Sequence, residues 1–262
     1  MWAITTEQQK GLNMHIKYIT CSDPRNYNQV ADMFDLWDID PRVEVAVQMH
    51  PGKVSPGTER YNWIKDLFHG LYGFNENLAI HVNNDWCDDI CNGKVPDELK
   101  YFFNYTNFYS EPIVKRVQLN MPQKTADRFN PHKLKSVIDY YNEYYKKDFI
   151  IQYNDRTKDA VDALDRTGAK FQLLFDASGG RGQLPRAWQS PVYPIFHKQG
   201  YAGGLKPENV SENLDKISKV AGIFPTWIDA EGGLKTDDKF DVKRARQYIL
   251  NTLAWEQKHR QK

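Results

Sequence analysis

The stretch GYAGGLKPENV (200–210) sets Gly203 and Gly204 just ahead of Pro207 and Glu208, which open a helix-like segment. A helix start leaves backbone N–H groups unpaired and carries the positive end of the dipole. Glycines beside it let an anion come close to those donors, so the pattern fits a phosphate ligand. The same residues also make an ordinary strand-to-helix turn, since glycine serves any tight backbone and proline is at home in a first helical turn. Cys87 and Cys91 stand among Asp85, Asp88 and Asp89, but no second Cys or His pair at ligand spacing completes a zinc set, so no metal site is expected. His50 closes an apolar run and has the chemistry of a base, with a hydrogen-bonded structural histidine as the other reading; His81, inside LAIHV, reads as structural.

These residues need a scaffold, and the apolar pattern supplies one. HIKYIT (15–20), VEVAVQM (43–49), LAIHV (78–82), VKRVQL (114–119), FIIQY (149–153), FQLLF (171–175), the irregular YPIFHKQGYA (193–202) and PTWID (225–229) are strand-like in their β-branched and aromatic content. Longer segments of helical character lie between them, among them PHKLKSVIDYYNEYYKK, PENVSENLDKISKVAG and DVKRARQYILNTLAWEQK. Strands alternating with helices predict an α/β fold, a single (βα)8 TIM barrel over residues 1–262 with 1–14 as an N-terminal extension; an open doubly wound sheet is the structural competitor. Chemistry in such a barrel collects on the loops after the strands, and here those are enlarged and polar: HPGKVSPGTER (50–60), NNDWCDDICNGKVP (83–96), NMPQKTADRFNPH (120–132) and ASGGRGQLPRAWQSP (177–191).

The totals bound the partners. A chain of 262 residues that is 40% hydrophobic and 26% charged buries a sizeable core, and its formal net charge of +1 gives no general attraction to nucleic acid or to an anionic membrane. No apolar run reaches the roughly 20 residues needed to span a bilayer, and the three cysteines, an odd number, fit free thiols in a reducing compartment. The expectation is a cytoplasmic monomer or homodimer acting on a small molecule. The tyrosine-rich runs YFFNYTNFY (101–109) and YYNEYYKK (140–147) lack a basic stripe and read as helices packed on a barrel rather than as a nucleic-acid surface.

The order VQLN, LLFDASGGRG, AGGLKPENV, WIDAEGG, in a stretch from about residue 114 to the C-terminus, resembles the phosphoribosylanthranilate isomerases, barrel enzymes of tryptophan biosynthesis. Their matching segments read approximately VQLHG, LLDS followed by GGxGK, SGGLNPENV and DVSSGVE. Over the first half, IKYITCSDP resembles a divergent form of the family's VKICGIT-x-P, and LAIHVNND its VGVFVN-[DE]. The resemblance implies that Asp176 is the general acid that protonates the ribose ring oxygen and that Gly179, Gly180 and Gly182 form a loop closing over the substrate. It also implies that Gly203, Gly204, Gly232 and Gly233 cradle a phosphate, that Asp229 holds ribose hydroxyls, and that Gln118 is the strand-four glutamine. No cofactor is implied.

The family's Amadori rearrangement also needs a base, the cysteine of KICG. A gapless match on Lys17 and Pro24 puts Ile19 there, and Cys21, two residues on and expected on the same strand face, is the candidate thiol. The loop lysine is replaced by Gln183, with Arg181 or Arg186 nearby, and the strand-four histidine by Asn120. The arginine that holds the anthranilate carboxylate has only Lys53 and Arg60 as candidates. Phosphate and ribose recognition look better kept than the anthranilate end. The expectation is therefore an acid/base isomerase of a phosphoribosyl substrate. The alternatives are a barrel enzyme acting on another phosphorylated sugar or nucleotide, or a non-catalytic phosphate-binding barrel.

Overall fold

In the computed structural model of the chain, which describes residues 14–193 and 197–260, the eight predicted strands form one closed parallel barrel in chain order. They are β1 (Ile16–Ser22), β2 (Val43–Met49), β3 (Asn77–Val82), β4 (Val114–Leu119), β5 (Asp148–Tyr153), β6 (Gln172–Phe175), β7 (Gln199–Ala202) and β8 (Thr226–Ala230). Closure is shown by the pairing of β8 with β1, where Tyr18 stands opposite Trp227 and Thr20 opposite Asp229. The open-sheet alternative is thereby set aside.

The helices around the barrel are α1 (Val30–Trp37), α2 (Glu59–Gly70), α3 (Asn84–Cys91), α4 (Asp97–Asn104), α5 (Gln123–Ala126), α6 (Pro131–Tyr145), α7 (Lys158–Asp165), α8 (Val210–Ala221) and α9 (Val242–Arg260). Two of them lie in segments read from the sequence as loops. In α3, Trp86, Cys87, Ile90 and Cys91 repeat at helical spacing and bury themselves, so both thiols serve packing against the barrel. The short α5 sits after β4. β7 is only the end of the predicted strand, and between β6 and β7 no helix occurs among the described residues. After β8 the chain makes a 3₁₀ turn (Gly232–Leu234) and a small hairpin, β9 (Lys235–Thr236) and β10 (Lys239–Phe240), before α9. The N-terminal extension, up to residue 13, lies outside the described residues; Met14 is buried.

Alternation along each strand sorts side chains into two sets. One faces the helices: Ile19, Cys21, Val43, Val45, Leu119, Leu173 and Ile228 join the main apolar cluster between barrel and helices. The other fills the interior, where Ile150, Leu174, Ala202 and Trp227 form a separate apolar cluster with Tyr18 against it.

A cation sits within this interior. The guanidinium of Arg116 lies 4.3 Å from the Tyr18 ring centre and 4.2 Å from that of Trp227, and its Nη1 donates to Glu44 at 2.9 Å. Glu44 also accepts from Thr20 at 2.8 Å. Both charged side chains are buried from solvent almost completely. Gly200 on β7 makes room for the indole, since a Cβ there would lie 2.0 Å from Trp227.

Replacing Arg116 with Ala leaves Glu44 buried without its partner and is expected to lower the unfolding free energy in a urea titration by about 3–5 kcal/mol. The paired change Arg116→Met with Glu44→Leu removes both charges and is expected to recover most of that loss.

Candidate active site

The C-terminal ends of the strands and the loops that follow them surround a cleft with two lobes that meet at Asn120, Gln152, Gly180 and Glu231. The first lobe, of about 540 Å³, lies over β6, β7 and β8 and brings together Gln118, Asp176, Gly180, Gly182, Gly203, Gly204, Asp229, Gly232 and Gly233. The second, of about 400 Å³, lies over β1 to β5 and includes Gly179.

Asp229 follows from alternation: with Trp227 and Thr20 as guides, it points inward at the top of β8. It is 6% exposed and accepts from Ser22 Oγ at 2.6 Å. Burial pushes its carboxyl up to about 8 against that hydrogen bond, so it carries a proton at neutral pH. Asp176 ends β6 in a different setting. It accepts from Gln152 Nε2 at 2.8 Å, from the Ser178 amide and hydroxyl at 3.0 and 2.7 Å, and from the Gly180 amide at 2.6 Å. Its carboxylate is thus the template around which the glycine-rich loop turns. The two carboxyl groups flank β7, where a Cβ on Gly203 would stand 3.1 Å from Asp176 Oδ1.

The glycines answer backbone crowding as well as any ligand. Gly203 and Gly204 have φ of +104° and +68°; a Cβ on the first would lie 2.8 Å from the Gln183 carbonyl, and on the second 2.6 Å from the Leu184 nitrogen. A Cβ on Gly233 would lie 2.1 Å from the Leu205 carbonyl. The loops after β6, β7 and β8 therefore rest directly on one another, which is the turn reading of these residues in physical form. A Cβ on Gly232, by contrast, would meet nothing within 4 Å. Among the described residues, the N–H groups of Gly204, Leu205, Gly232 and Gly233 have no protein acceptor, and all four residues line the lobe. Carboxylates share it: Glu231 and, from the hairpin tip, Asp237 and Asp238 line the same space as Arg181 and Lys235. The helix beyond begins at Val210, later than its sequence suggested, because Asn209 Oδ1 takes the Lys206 N–H and closes a preceding turn.

Three candidates fall outside the cleft. Cys21 points away from the barrel interior into the apolar layer beneath the helices, on the opposite strand face from Thr20 and Ser22. Burial, with the nearby Asp229 and Glu44 carboxyls, pushes its thiol far up. Ile19 and Cys21 do share a face, as expected, but it is the outer one. Arg60 is a loop clamp: it donates to the carbonyls of Pro24 and Gln48 at 2.7 and 3.2 Å and stands 3.6 Å from Asp23. Burial lowers its guanidinium to about 10. Lys53 is exposed in the turn after β2. His50 lines the second lobe, and His81 faces inward beside Gln48, where burial lowers it to about 3 and keeps it neutral.

Sequence reasoning missed the second lobe. Asp23, at φ +69°, collects Arg25 at 2.6 Å and Lys235 at 2.8 Å. Burial alone would raise its carboxyl, but the hydrogen bonds from Arg25 and Lys235 outweigh it and hold the group below its ordinary value. Lys235 also donates to Glu231 at 3.1 Å, tying the end of β1 to the end of β8. Inward phase was the available signal for Gln48 and Gln152, each two residues above an inward partner on its own strand.

No family model matches the chain. Over 144 residues it is 26% identical to an N-(5'-phosphoribosyl)anthranilate isomerase of Oceanobacillus iheyensis, a stretch that takes in 53% of this chain and 63% of that relative, so less than two thirds of the relative's length is spanned. Among solved structures, a phosphoribosyl anthranilate isomerase from Thermococcus kodakaraensis aligns with a TM-score of 0.48 at 12% identity, covering 90% of this chain and 99% of that one. A GH113 beta-1,4-mannanase aligns with a TM-score of 0.46 at 12% identity, covering 94% and 99%. By sequence the chain is thus similar, at a distance, to the phosphoribosylanthranilate isomerases.

Because the folded Asp229 binds its proton more tightly than the unfolded chain does, the group costs stability progressively as pH rises from about 4, the ordinary carboxyl range, to about 8. Asp229→Asn removes that dependence. The melting temperature of the variant minus that of the wild type is expected to grow between pH 4 and pH 8 and then to level off, as read by thermal unfolding across that range.

Proposed function

We propose that this chain is a phosphoribosylanthranilate isomerase-like barrel enzyme that performs acid–base isomerisation of a phosphorylated sugar at its C-terminal mouth, without a cofactor. The observation that carries the reading is the pair Asp229 and Asp176 on one cleft: the first, raised to about 8, holds a proton at neutral pH, and the second faces donors at both oxygens. The distant sequence likeness to an isomerase supports the same class.

The roles are reversed from those the resemblance implies. For a phosphoribosyl amine, Asp229 gives its proton to the ring oxygen as the bond from C1′ to that oxygen breaks, leaving an iminium between C1′ and nitrogen. Asp176 takes the C2′ proton, and the electron pair of that bond becomes the C1′–C2′ double bond of an enolamine. Tautomerisation gives the 1-amino-1-deoxy ketose, with no atom gained or lost. Gln118 meets the ribose hydroxyls, the N–H groups of Gly204, Gly232 and Gly233 meet the phosphate, and the loop of Gly179, Gly180 and Gly182 covers it. A second reading, another phosphorylated sugar or nucleotide, is favoured by the outward Cys21, which leaves the family's base position without a thiol in the mouth.

The test is turnover of phosphoribosylanthranilate, followed by its fluorescence. Wild-type protein is expected to convert it, and Asp229→Asn and Asp176→Asn each to lower kcat by about 10²–10⁴-fold. The wild-type rate is expected to fall as pH passes about 8 and Asp229 loses its proton. Turnover would assign the chain a step in tryptophan biosynthesis. Binding of ribose 5-phosphate with no turnover decides for the second reading, and neither turnover nor binding sinks both.

A further inference from the structure

On the β2 to β4 side of the second lobe the amides satisfy one another in a fixed order. Gln48 Nε2 donates to Glu231 Oε2 at 2.9 Å, Asn83 Nδ2 to Gln48 Oε1 at 2.6 Å, Asn120 Nδ2 to Asn83 Oδ1 at 2.9 Å, and Gln118 Nε2, from the first lobe, to Asn120 Oδ1 at 2.8 Å. Glu231 shares its other oxygen with Lys235 and can only accept, so an NH₂ must face it and each further amide is oriented in turn. The series leaves Gln118 Oε1 free in the first lobe, where the ribose hydroxyls need it.

The cations on that side are committed too. Arg25 donates through Nε and Nη2 to the Asp23 carboxylate, and Arg60 is held by the carbonyls of Pro24 and Gln48. Burial, with Lys53 nearby, lowers His50 and leaves its ring neutral at neutral pH.

The loop after β5 is different. The Asn154 N–H donates to Thr157 Oγ1 at 3.1 Å, the Thr157 hydroxyl donates to the Gln152 carbonyl at 2.7 Å, and Asn154 Oδ1 accepts the Arg156 N–H at 2.9 Å. With its oxygen fixed in this turn, Asn154 has Nδ2 left, which finds no acceptor among the described residues although the residue is only 7% exposed and lines the lobe. The guanidinium of Arg156 has no acidic partner among them either.

These two donors converge. A Cβ on Gly179, where φ is +60°, would stand 3.6 Å from Arg156 Nη1 and 3.8 Å from Asn154 Nδ2, so the glycine keeps the point between them free of side chain. A desolvated amide donor beside an unmatched guanidinium fits a planar anion of one charge. A hydroxyl would leave the charge of Arg156 unmatched, and the second charge of a phosphate would meet no further unpaired cation among the described residues of the lobe.

Where the lobes meet, Gln152 gives Nε2 to Asp176 at 2.8 Å and keeps Oε1 without a partner among the described residues. Outward from the catalytic carboxyls the second lobe thus offers an acceptor and then two donors, with Met121 and Pro122 from the loop after β4 as its apolar side chains. A group that carries an N–H beside the sugar, an apolar body and a carboxylate beyond the N–H matches all of these.

We infer that Arg156 and Asn154 hold the carboxylate of the substrate's amine-linked half, so that the loop after β5 supplies the carboxylate selectivity for which the loop after β2 has no free cation. The substrate is that of the isomerase reading above, on which the inference rests, but the two fail on different measurements.

Anthranilate and its neutral analogue 2-aminobenzamide are titrated into the full chain and read by saturation-transfer NMR. The wild type is expected to bind anthranilate saturably and 2-aminobenzamide about 10-fold or more weakly. Arg156→Met and Asn154→Asp, each checked for a wild-type melting transition, are expected to weaken anthranilate by about 10–100-fold. Asn154→Asp keeps the oxygen that takes the Arg156 N–H and replaces the donor with a like charge. Arg156→Lys is expected to retain part of the affinity, since it keeps the charge and loses the fork. In turnover of phosphoribosylanthranilate, Arg156→Met is expected to raise KM by the same factor, with kcat/KM falling in step. Wild-type protein that binds no anthranilate or does not distinguish it from the neutral analogue, or an Arg156→Met variant that binds it as the wild type does, overturns the inference; turnover persisting in any of these cases leaves the isomerase reading standing alone. Anthranilate binding that depends on Arg156, without turnover, leaves this inference standing and removes the isomerase reading.

Discussion

The guanidinium of Arg116 lies between the rings of Tyr18 and Trp227 in the middle of the barrel, and the layers above it are set by that stack. Arg116 comes from β4, Tyr18 and Trp227 from β1 and β8, and its ion-pair partner Glu44 from β2, so one cluster joins both sides of the closure seam to the far wall. A charge at this depth is tolerable only with a partner and with ring faces to replace water. The indole in turn requires Gly200, because a side chain on that strand would occupy its volume. A small set of inward residues therefore fixes which strands can be neighbours and at what register.

With the centre filled this way, the residues one step higher have nowhere to go but the mouth. Ser22, Gln48, His81, Gln118, Gln152 and Asp229 are the next inward positions on their strands, and all are buried polar groups. Their hydrogen bonds divide the mouth into two electrical regions. Over β6 to β8, a protonated Asp229 and a donor-wrapped Asp176 stand on either side of β7. Over β1 and β2, Asp23 gathers Arg25 and Lys235, and Lys235 passes on to Glu231, from which the amide series runs. The carboxyl pair and the amide series are thus built from the same strand ends. They differ only in whether a carboxyl is left to desolvation or is given a cation.

Much of the scaffold was legible in the chain. VEVAVQM and VKRVQL fall on β2 and β4 with their bounds unchanged, because a run of β-branched residues buried on both faces has little other choice in a parallel sheet. Of the segment read as a strand over 193–202, residues 194–196 lie outside the described residues and the strand found is Gln199–Ala202; the loop over 83–96 proved to hold α3, whose apolar stripe is short and flanked by acids that mask it. Asp176, Asp229, Gln118 and the glycines were found through motif order, and they do meet in one cleft. Cys21 was misplaced by a single strand phase: its two-residue offset from Ile19 was right, but nothing in KYITCSDP says which face looks inward.

The sequence by itself determined that this chain alternates strand and helix and that glycine-rich turns follow β6, β7 and β8, because periodicity and turn composition are local properties written residue by residue. Only the tertiary structure decided that the sheet closes into a barrel, which strand face is the interior, that Asp229 is desolvated enough to keep its proton, that the Gly203 and Gly204 turn is pressed beneath Gln183 and Leu184, and that six amides from β2, β5, α5 and the strand-end loops share one wall. Those facts depend on distances between residues far apart in the chain, and burial, Coulomb interaction and steric contact are functions of such distances alone.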